Sequence, residues 1–217
     1  MHAVQSLARL WLGRKGLTVL GYQAQRVGRL WLRSGPVCLL LVGSALGQEA
    51  EWAVDRTRSQ IVYRGSHPAH SWEGVSRDVR GSIRFDPARP NGMQVRIWAP
   101  VESFSSGNDN RDSNMLDVLE ADRYPEVRFV SDSASVLFWD GRRGRWRLAG
   151  QLDFHGRRRL LVVSVEMTFE DAATLRATGA FRISLREFEV RRPRLLLVPI
   201  RDELDIRFEI LLRRSGP

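Results

Sequence analysis

The chain has 217 residues, with 34 Lys and Arg against 25 Asp and Glu and a formal net charge of +9. That length suits one domain of ordinary size behind a removable leader, but the charge is unevenly spread. Residues 1–47 hold six basic side chains and no Asp or Glu, which leaves 28 basic against 25 acidic residues beyond them, too near neutrality to call for a polyanionic partner such as nucleic acid.

Within those first residues, Val37-Cys38-Leu39-Leu40-Leu41-Val42 is a compact apolar run between Arg33 and Ala45-Leu46-Gly47. A basic flank, a short apolar core and a small-residue end predict a secretory signal cleaved before Gln48, and so a periplasmic or secreted protein. The run falls short of the roughly 18 residues of a membrane-spanning helix. The 33 residues up to Arg33 are long for a signal's basic region, which leaves a later translation start or an organelle transit peptide as the other reading. Cys38, the sole cysteine, lies in this leader, so the body has neither a disulfide nor a Cys-based zinc site. The expected division is a leader over 1–47 and one domain over 48–217.

In the body, Ile61 and Tyr63 point one way and Arg64 the other, and residues 67–74 read as a loop. Val79, Gly81, Ile83 and Phe85 then alternate with Asp78, Arg80, Ser82 and Arg84. Residues 87–92, with two prolines and a glycine, mark a turn. Met93, Val95, Ile97 and Ala99 resume the two-residue period opposite Gln94, Arg96 and Trp98. Such strands have one apolar and one charged face.

The period changes at residues 107–131. A polar turn, Gly107-Asn108-Asp109-Asn110, is suited to capping a helix, and Met115, Leu116 and Leu119 form one apolar stripe after it. Pro125 ends the helix and biases Tyr124 toward extended backbone. Val127, Phe129 and Ser131 begin the next strand. Residues 139–144 read as a hairpin turn and His155-Gly156 as another, between strands carrying Trp146, Leu148, Leu152 and Phe154 and then Leu161, Val163, Val165 and Met167. Leu175, Ala177, Gly179, Phe181 and Ile183 follow. Residues 185–200, with Pro193 and Pro199, cannot be a central strand, and Leu204, Ile206, Phe208, Ile210 and Leu212 finish the chain.

About eight alternating strands without helical crossovers imply antiparallel pairing. The expected class is all-β: an eight-stranded, lipocalin-like antiparallel barrel with a short helical insertion closing one end over an apolar bore. A two-sheet sandwich is the alternative. Gly81, Ala99, Gly150, Ala177 and Gly179 share the face that carries the phenylalanines. Either they leave volume inside, or the glycines serve curvature and bulges.

Several segments stand in a telling order. They are Trp52-Ala53-Val54-Asp55 with Ser59, Gly81-Ser82-Ile83-Arg84-Phe85-Asp86, Asn110-Arg111-Asp112, Tyr124-Pro125-Glu126-Val127-Arg128-Phe129-Val130-Ser131, and Gly150-Gln151-Leu152-Asp153-Phe154-His155-Gly156. On these the chain, from about Trp52 to Leu212, resembles the YceI-like family of exported lipid-binding proteins. The resemblance implies a barrel whose bore holds a polyisoprenoid chain or an isoprenoid quinone, binding rather than turnover, and no cofactor beyond that lipid. Asn114 stands where a His is frequent in the family, and residues 183–188 depart from a simpler Arg-x-Phe-Gly ending.

The candidate lining of the bore is Phe85, Ile97, Phe129, Leu148, Phe154, Val163, Met167, Phe181 and Phe208, which would otherwise fill a core. Arg111, Asp112 and Asn114 form a candidate polar mouth, Arg being suited to oxyanions; the other reading is an Arg111–Asp112 ion pair pinning the helix. His67, His70 and Glu73 are candidate metal ligands for a different function, a loop-based metal-dependent enzyme. Pro68 rules out the helical two-histidine zinc arrangement. The Arg142-Arg143, Arg157-Arg158-Arg159 and Arg191-Arg192 clusters are solvated turns or points of transient contact with an anionic membrane surface.

Overall fold

The structure is a computed structural model that describes residues 50–195 and 197–216; the leader and its cleavage before Gln48 lie outside the described residues. In chain order the elements are β1 (Ala50–Val54), β2 (Gln60–His67), β3 (His70–Ser76), β4 (Arg80–Asp86) and β5 (Arg89–Pro100). A 3-10 turn at Val101–Ser103, β6 (Phe104–Ser105) and α1 (Asp109–Val118) lead into β7 (Glu126–Trp139), β8 (Arg143–Phe154), β9 (Arg157–Phe169) and β10 (Thr174–Ser184). The small β11 (Arg194–Leu195) and β12 (Val198–Pro199) precede β13 (Glu203–Arg214).

Eight strands make a closed antiparallel barrel, in the order β1-β4-β5-β7-β8-β9-β10-β13, with β1 returning to β13 through pairs such as Trp52 with Arg214. Closure leaves the ring no free edge. β2 and β3 prolong β1 and β4 beyond the ring: β2 takes over the edge of β13 from Asp205 to Glu209, and β3 pairs with β2. The break between β1 and β2 is patched by Ser59. Its hydroxyl donates to the Asp55 carbonyl at 2.7 Å and accepts the Leu211 amide at 3.0 Å. A buried backbone donor facing that gap would otherwise be unpaired. A second patch joins Ser76 and Ser103, whose hydroxyls lie 2.6 Å apart while Ser103 donates to the Pro100 carbonyl.

Two expectations about boundaries fail. Residues 67–74 are a hairpin and not a loop: His67 pairs with His70 across Pro68-Ala69. Tyr63 packs over Gly74 and Trp72 over Gly65, each where a Cβ would stand within 3 Å of ring carbons. Large rings lie over residues without side chains, so the segment lacks a regular apolar alternation. β5 also begins earlier than expected, at Arg89, after a register shift between Arg84 and Asp86.

The β8–β9 turn fits its residues closely. His155 and Gly156 have φ of 50° and 68°, as a tight two-residue hairpin needs. The Tyr124 ring lies 2.3 Å from where a Gly156 Cβ would be, so Tyr124-Pro125 and His155-Gly156 are two halves of one contact.

One end of the barrel is plugged. Phe85, 1% exposed, meets Trp139 and Trp146 edge-on at 5.7 and 5.6 Å, and Trp52 and Phe169 extend the cluster. The indoles of Trp146 and Trp139 donate to the carbonyls of Pro90 and Pro87, at 2.9 and 3.1 Å. Aromatic pairs in these geometries contribute about 0.5–1.5 kcal/mol beyond the area they bury.

Candidate functional site

Beyond the plug the interior opens into a cavity of about 520 Å³ that runs up to helix α1, within the usual size of small-molecule sites. Its deeper walls include Met93, Val95, Val165, Met167 and Ala177; nearer α1 lie Phe129, Leu152, Phe154, Phe181 and Leu204. Eight of the nine expected lining residues stand in this wall: Ile97, Phe129, Leu148, Phe154, Val163, Met167, Phe181 and Phe208. Phe85 does not. It points inward as its period requires, but at the level of the plug, where the tryptophans enclose it.

Three of the inward small residues do not create the void. A Cβ at Gly179 would meet the Phe208 ring at 2.5 Å, one at Gly150 the Val130 carbonyl at 2.2 Å, and one at Gly81 the Arg96 carbonyl at 2.0 Å. Ala177 is the member of that set in the cavity wall. The space comes instead from the width of the ring and from the mouth elements, which cover the bore without filling it.

Helix α1 begins at Asn108, whose side chain accepts the Arg111 amide at 3.0 Å, the N-cap expected of that residue type. Arg111, Asn114, Met115, Val118 and the following Leu119 face the cavity, whereas Leu116, expected on the stripe, does not. No residue of α1 is buried. Of the helix, Val118 packs against the apolar cluster around Leu152 and Phe154, and the rest roofs the void.

The polar mouth differs from expectation in one member. Arg111 and Asn114 line the cavity; Asp112 does not. Its carboxylate accepts from the Ser106 amide at 3.0 Å, from the Ser106 hydroxyl and from the Ser105 hydroxyl at 3.0 Å. Burial raises the Asp112 pKa, but the Ser106 and Ser105 hydrogen bonds and nearby Arg111 outweigh it and hold the group below the usual carboxylate range. Arg111 also fastens onto Ser106, through its hydroxyl at 2.8 Å and carbonyl at 3.1 Å, and its guanidinium lies 5.9 Å from the Trp72 ring centre. The two charges anchor the start of α1 to one serine.

Across from the helix, residues 185–200 place Leu185, Phe188 and Val190 in a second apolar cluster with Leu152 and Phe154. Asp202 ties this segment down, accepting from the Ser184 hydroxyl at 2.5 Å and the Arg186 amide at 3.1 Å. His155 adds a bond from its Nδ1 to the Phe188 carbonyl at 3.0 Å.

The triad of the alternative reading, His67, His70 and Glu73, does not assemble. His67 and His70 line the cavity, their rings 5.9 Å apart. Glu73 lies on the opposite face of β3, where both of its oxygens bind Arg207 at 2.7 Å. Alternation along a strand separates it from Trp72, which faces inward. Among the described residues no group of three or more His, Cys, Asp or Glu is placed to hold a metal ion.

Wall residues that the strand periods do not reveal include Trp72, Trp98, Val101, Phe104, Leu185 and Val190. Trp98 was expected among charged side chains on the outer face, and the Arg128 guanidinium does lie 6.0 Å from its ring. Its place near the mouth is decided by the elements around it.

The model of the YceI-like domain matches residues 52–212. A UPF0312 protein of Azotobacter vinelandii is 24% identical over 176 residues, covering 76% of this chain and 88% of the relative. One from Pseudomonas syringae pv. tomato is 25% identical over 181 residues, with 79% and 90% covered. Among solved structures, Burkholderia cenocepacia BcnA superposes with a TM-score of 0.64 at 22% identity, over 73% of this chain and all but 2% of the other. A polyisoprenoid binding domain from Saccharophagus degradans, implicated in plant cell wall breakdown, gives 0.60 at 13% identity over 77% of this chain and 100% of that one. At these identities the structural likeness speaks for the fold.

Proposed function

The chain belongs to the YceI-like domain family, and on that premise we propose that it binds and carries a long-chain isoprenoid lipid in its barrel without chemically altering it. The observation that carries the reading is the cavity of about 520 Å³, walled by apolar side chains from the plug to the mouth. A structural neighbour described as a polyisoprenoid binding domain points to the same ligand class. Each CH₂ moved from water into such a bore is worth about 0.8 kcal/mol, so a prenyl chain of modest length supplies ample driving force.

The roof fits this role. Helix α1 closes the bore with a half-exposed apolar face and no buried residue, so its displacement breaks chiefly the contact of Val118 with the cluster around Leu152 and Phe154. As part of the same proposal, the chain works in the periplasm or outside the cell after losing residues 1–47, and it meets anionic membrane surfaces transiently through its arginine clusters. N-terminal sequencing of the mature protein tests the export step, with Gln48 the expected first residue.

The ligand is tested by organic extraction and mass spectrometry of natively purified protein. The expected result is an isoprenoid lipid near one equivalent per chain. Protein that carries no lipid and takes none up from isoprenoid-loaded vesicles would sink the reading.

A further inference from the structure

The small hairpin of β11 and β12 has a role that the cavity does not explain. It pairs Arg194 with Pro199 and Leu195 with Val198. At its turn Leu197 is 88% exposed, and Val198 beside it is 42% exposed. Leu197 also has a φ of 68°, a left-handed backbone that asparagine or glycine takes readily and leucine only at a cost. A leucine held in water on strained backbone packs against little of its own chain, and such outliers point to function.

The base of the hairpin, in contrast, is firmly seated. The Ile200 amide donates to the Pro193 carbonyl at 3.1 Å, and the Arg201 amide to the Ser66 carbonyl at 2.8 Å. The Arg192 guanidinium donates to the Ile200 carbonyl at 3.0 Å. Pro193, Arg194 and Ile200 are also part of the cavity wall, so the exposed tip is carried by residues that border the mouth. The charges around it are uncommitted. Elsewhere Arg143 is paired with Asp140, Arg157 with Glu189 and Arg158 with Asp153. Among the described residues the side chains of Arg191, Arg194 and Arg201 have no such partner.

A short apolar tip among unpaired guanidiniums matches an anionic bilayer, whose interface takes apolar side chains between acyl chains and offers phosphates to arginine. It does not match a second copy of this chain, which would bring like charges together. Resting on the lipid-carrier reading above, we propose that the β11–β12 hairpin is a membrane wedge. Leu197 and Val198 enter the bilayer interface, and Arg191, Arg194 and Arg201 bind the lipid phosphates around them. The wedge sets the mouth of the barrel against the membrane, so that a lipid tail passes along Pro193 and Ile200 without crossing water.

The test attaches an environment-sensitive NBD dye at position 197, through Leu197→Cys in a Cys38→Ser background. A control carries the dye at Ala172→Cys, an exposed position in the β9–β10 turn at the plug end. Both are mixed with vesicles free of isoprenoid, made of phosphatidylcholine alone or of equimolar phosphatidylcholine and phosphatidylglycerol. On the anionic vesicles the dye at 197 should shift to the blue and the dye at 172 should not. In co-sedimentation with the same vesicles, Leu197→Asn, which suits the backbone better, should weaken binding about tenfold. Arg191→Gln and Arg201→Gln should each weaken it about fivefold. Wild-type affinity in Leu197→Asn overturns the wedge, as does an unshifted dye at 197, a shift at 172 in its place, or equal binding to the two vesicle types. Because these vesicles hold no cargo, the two readings fail separately. Protein that yields no lipid on extraction overturns the carrier reading, while a blue shift at 197 still supports the wedge.

Discussion

The plug and the mouth are built from the same strands, yet they are held by different physics. At the plug, Phe85, Trp139 and Trp146 interlock, and two indoles donate to turn carbonyls. At the mouth, helix α1 buries none of its residues and is held at its start by Arg111 and Asp112 on Ser106. Packed rings resist opening because every atom has a neighbour. A roof tied by a few polar bonds over a void can open at far smaller cost. On the proposed carrier reading, the contrast would give the container a fixed floor and a cover that lifts.

The most damaging way to break the contrast is Trp146→Ala. Trp146 is fully buried in the plug, so its truncation should lower unfolding free energy by about 3–5 kcal/mol. Urea denaturation checks this, and a loss below about 1 kcal/mol would mean that the plug is loosely packed. A milder change sharpens the difference between floor and void. Ala177→Phe puts a ring into the cavity wall at a buried position, with an overpacking cost of about 1–3 kcal/mol. Co-purifying lipid should drop several-fold while circular dichroism stays that of a barrel. Undiminished lipid in that variant would place the ligand somewhere other than the bore.

The smallest effect concerns the tie at the mouth. Asp112 has a folded pKa below its unfolded value, so the folded chain binds that proton less readily than the unfolded chain. Its contribution is complete above the usual carboxylate range near pH 4 and is lost as pH falls through the lowered folded value. Asp112→Asn should therefore cost about 1 kcal/mol near neutral pH, the scale of the hydrogen bonds it weakens, and the difference from wild type should vanish in acid. A difference that grows as pH falls would contradict the assignment. Lipid release from the wild type should quicken over the same acid range, since it is α1 that comes free.

Particular residues show how far the chain could be read unaided. The strands around Ile83, Ile97, Leu148, Val163 and Phe208 alternate so regularly that their inward faces are plain, and each lies on the interior as expected. Asn108 as a helix cap and His155-Gly156 as a hairpin turn are equally legible, because one side-chain oxygen or one glycine carries the signal locally. Residues 67–74 misled for a physical reason. Their strand pairing is compensated across the hairpin, Tyr63 over Gly74 and Trp72 over Gly65, and neither half shows the pattern alone. Glu73 beside two histidines suggested a metal site until the pleat turned it outward to Arg207.

By itself the sequence determined which side of each strand is oily, where the chain must turn, and that a helix interrupts the strands. Those properties depend on neighbours a few residues away. Only the tertiary structure decided height along the barrel: that Phe85 belongs to the floor while Phe154 belongs to the wall, and that Asp112 serves a serine and not the mouth. Height is set by register between strands far apart in sequence, such as Trp52 against Arg214. A two-residue period specifies a face but carries no information about level.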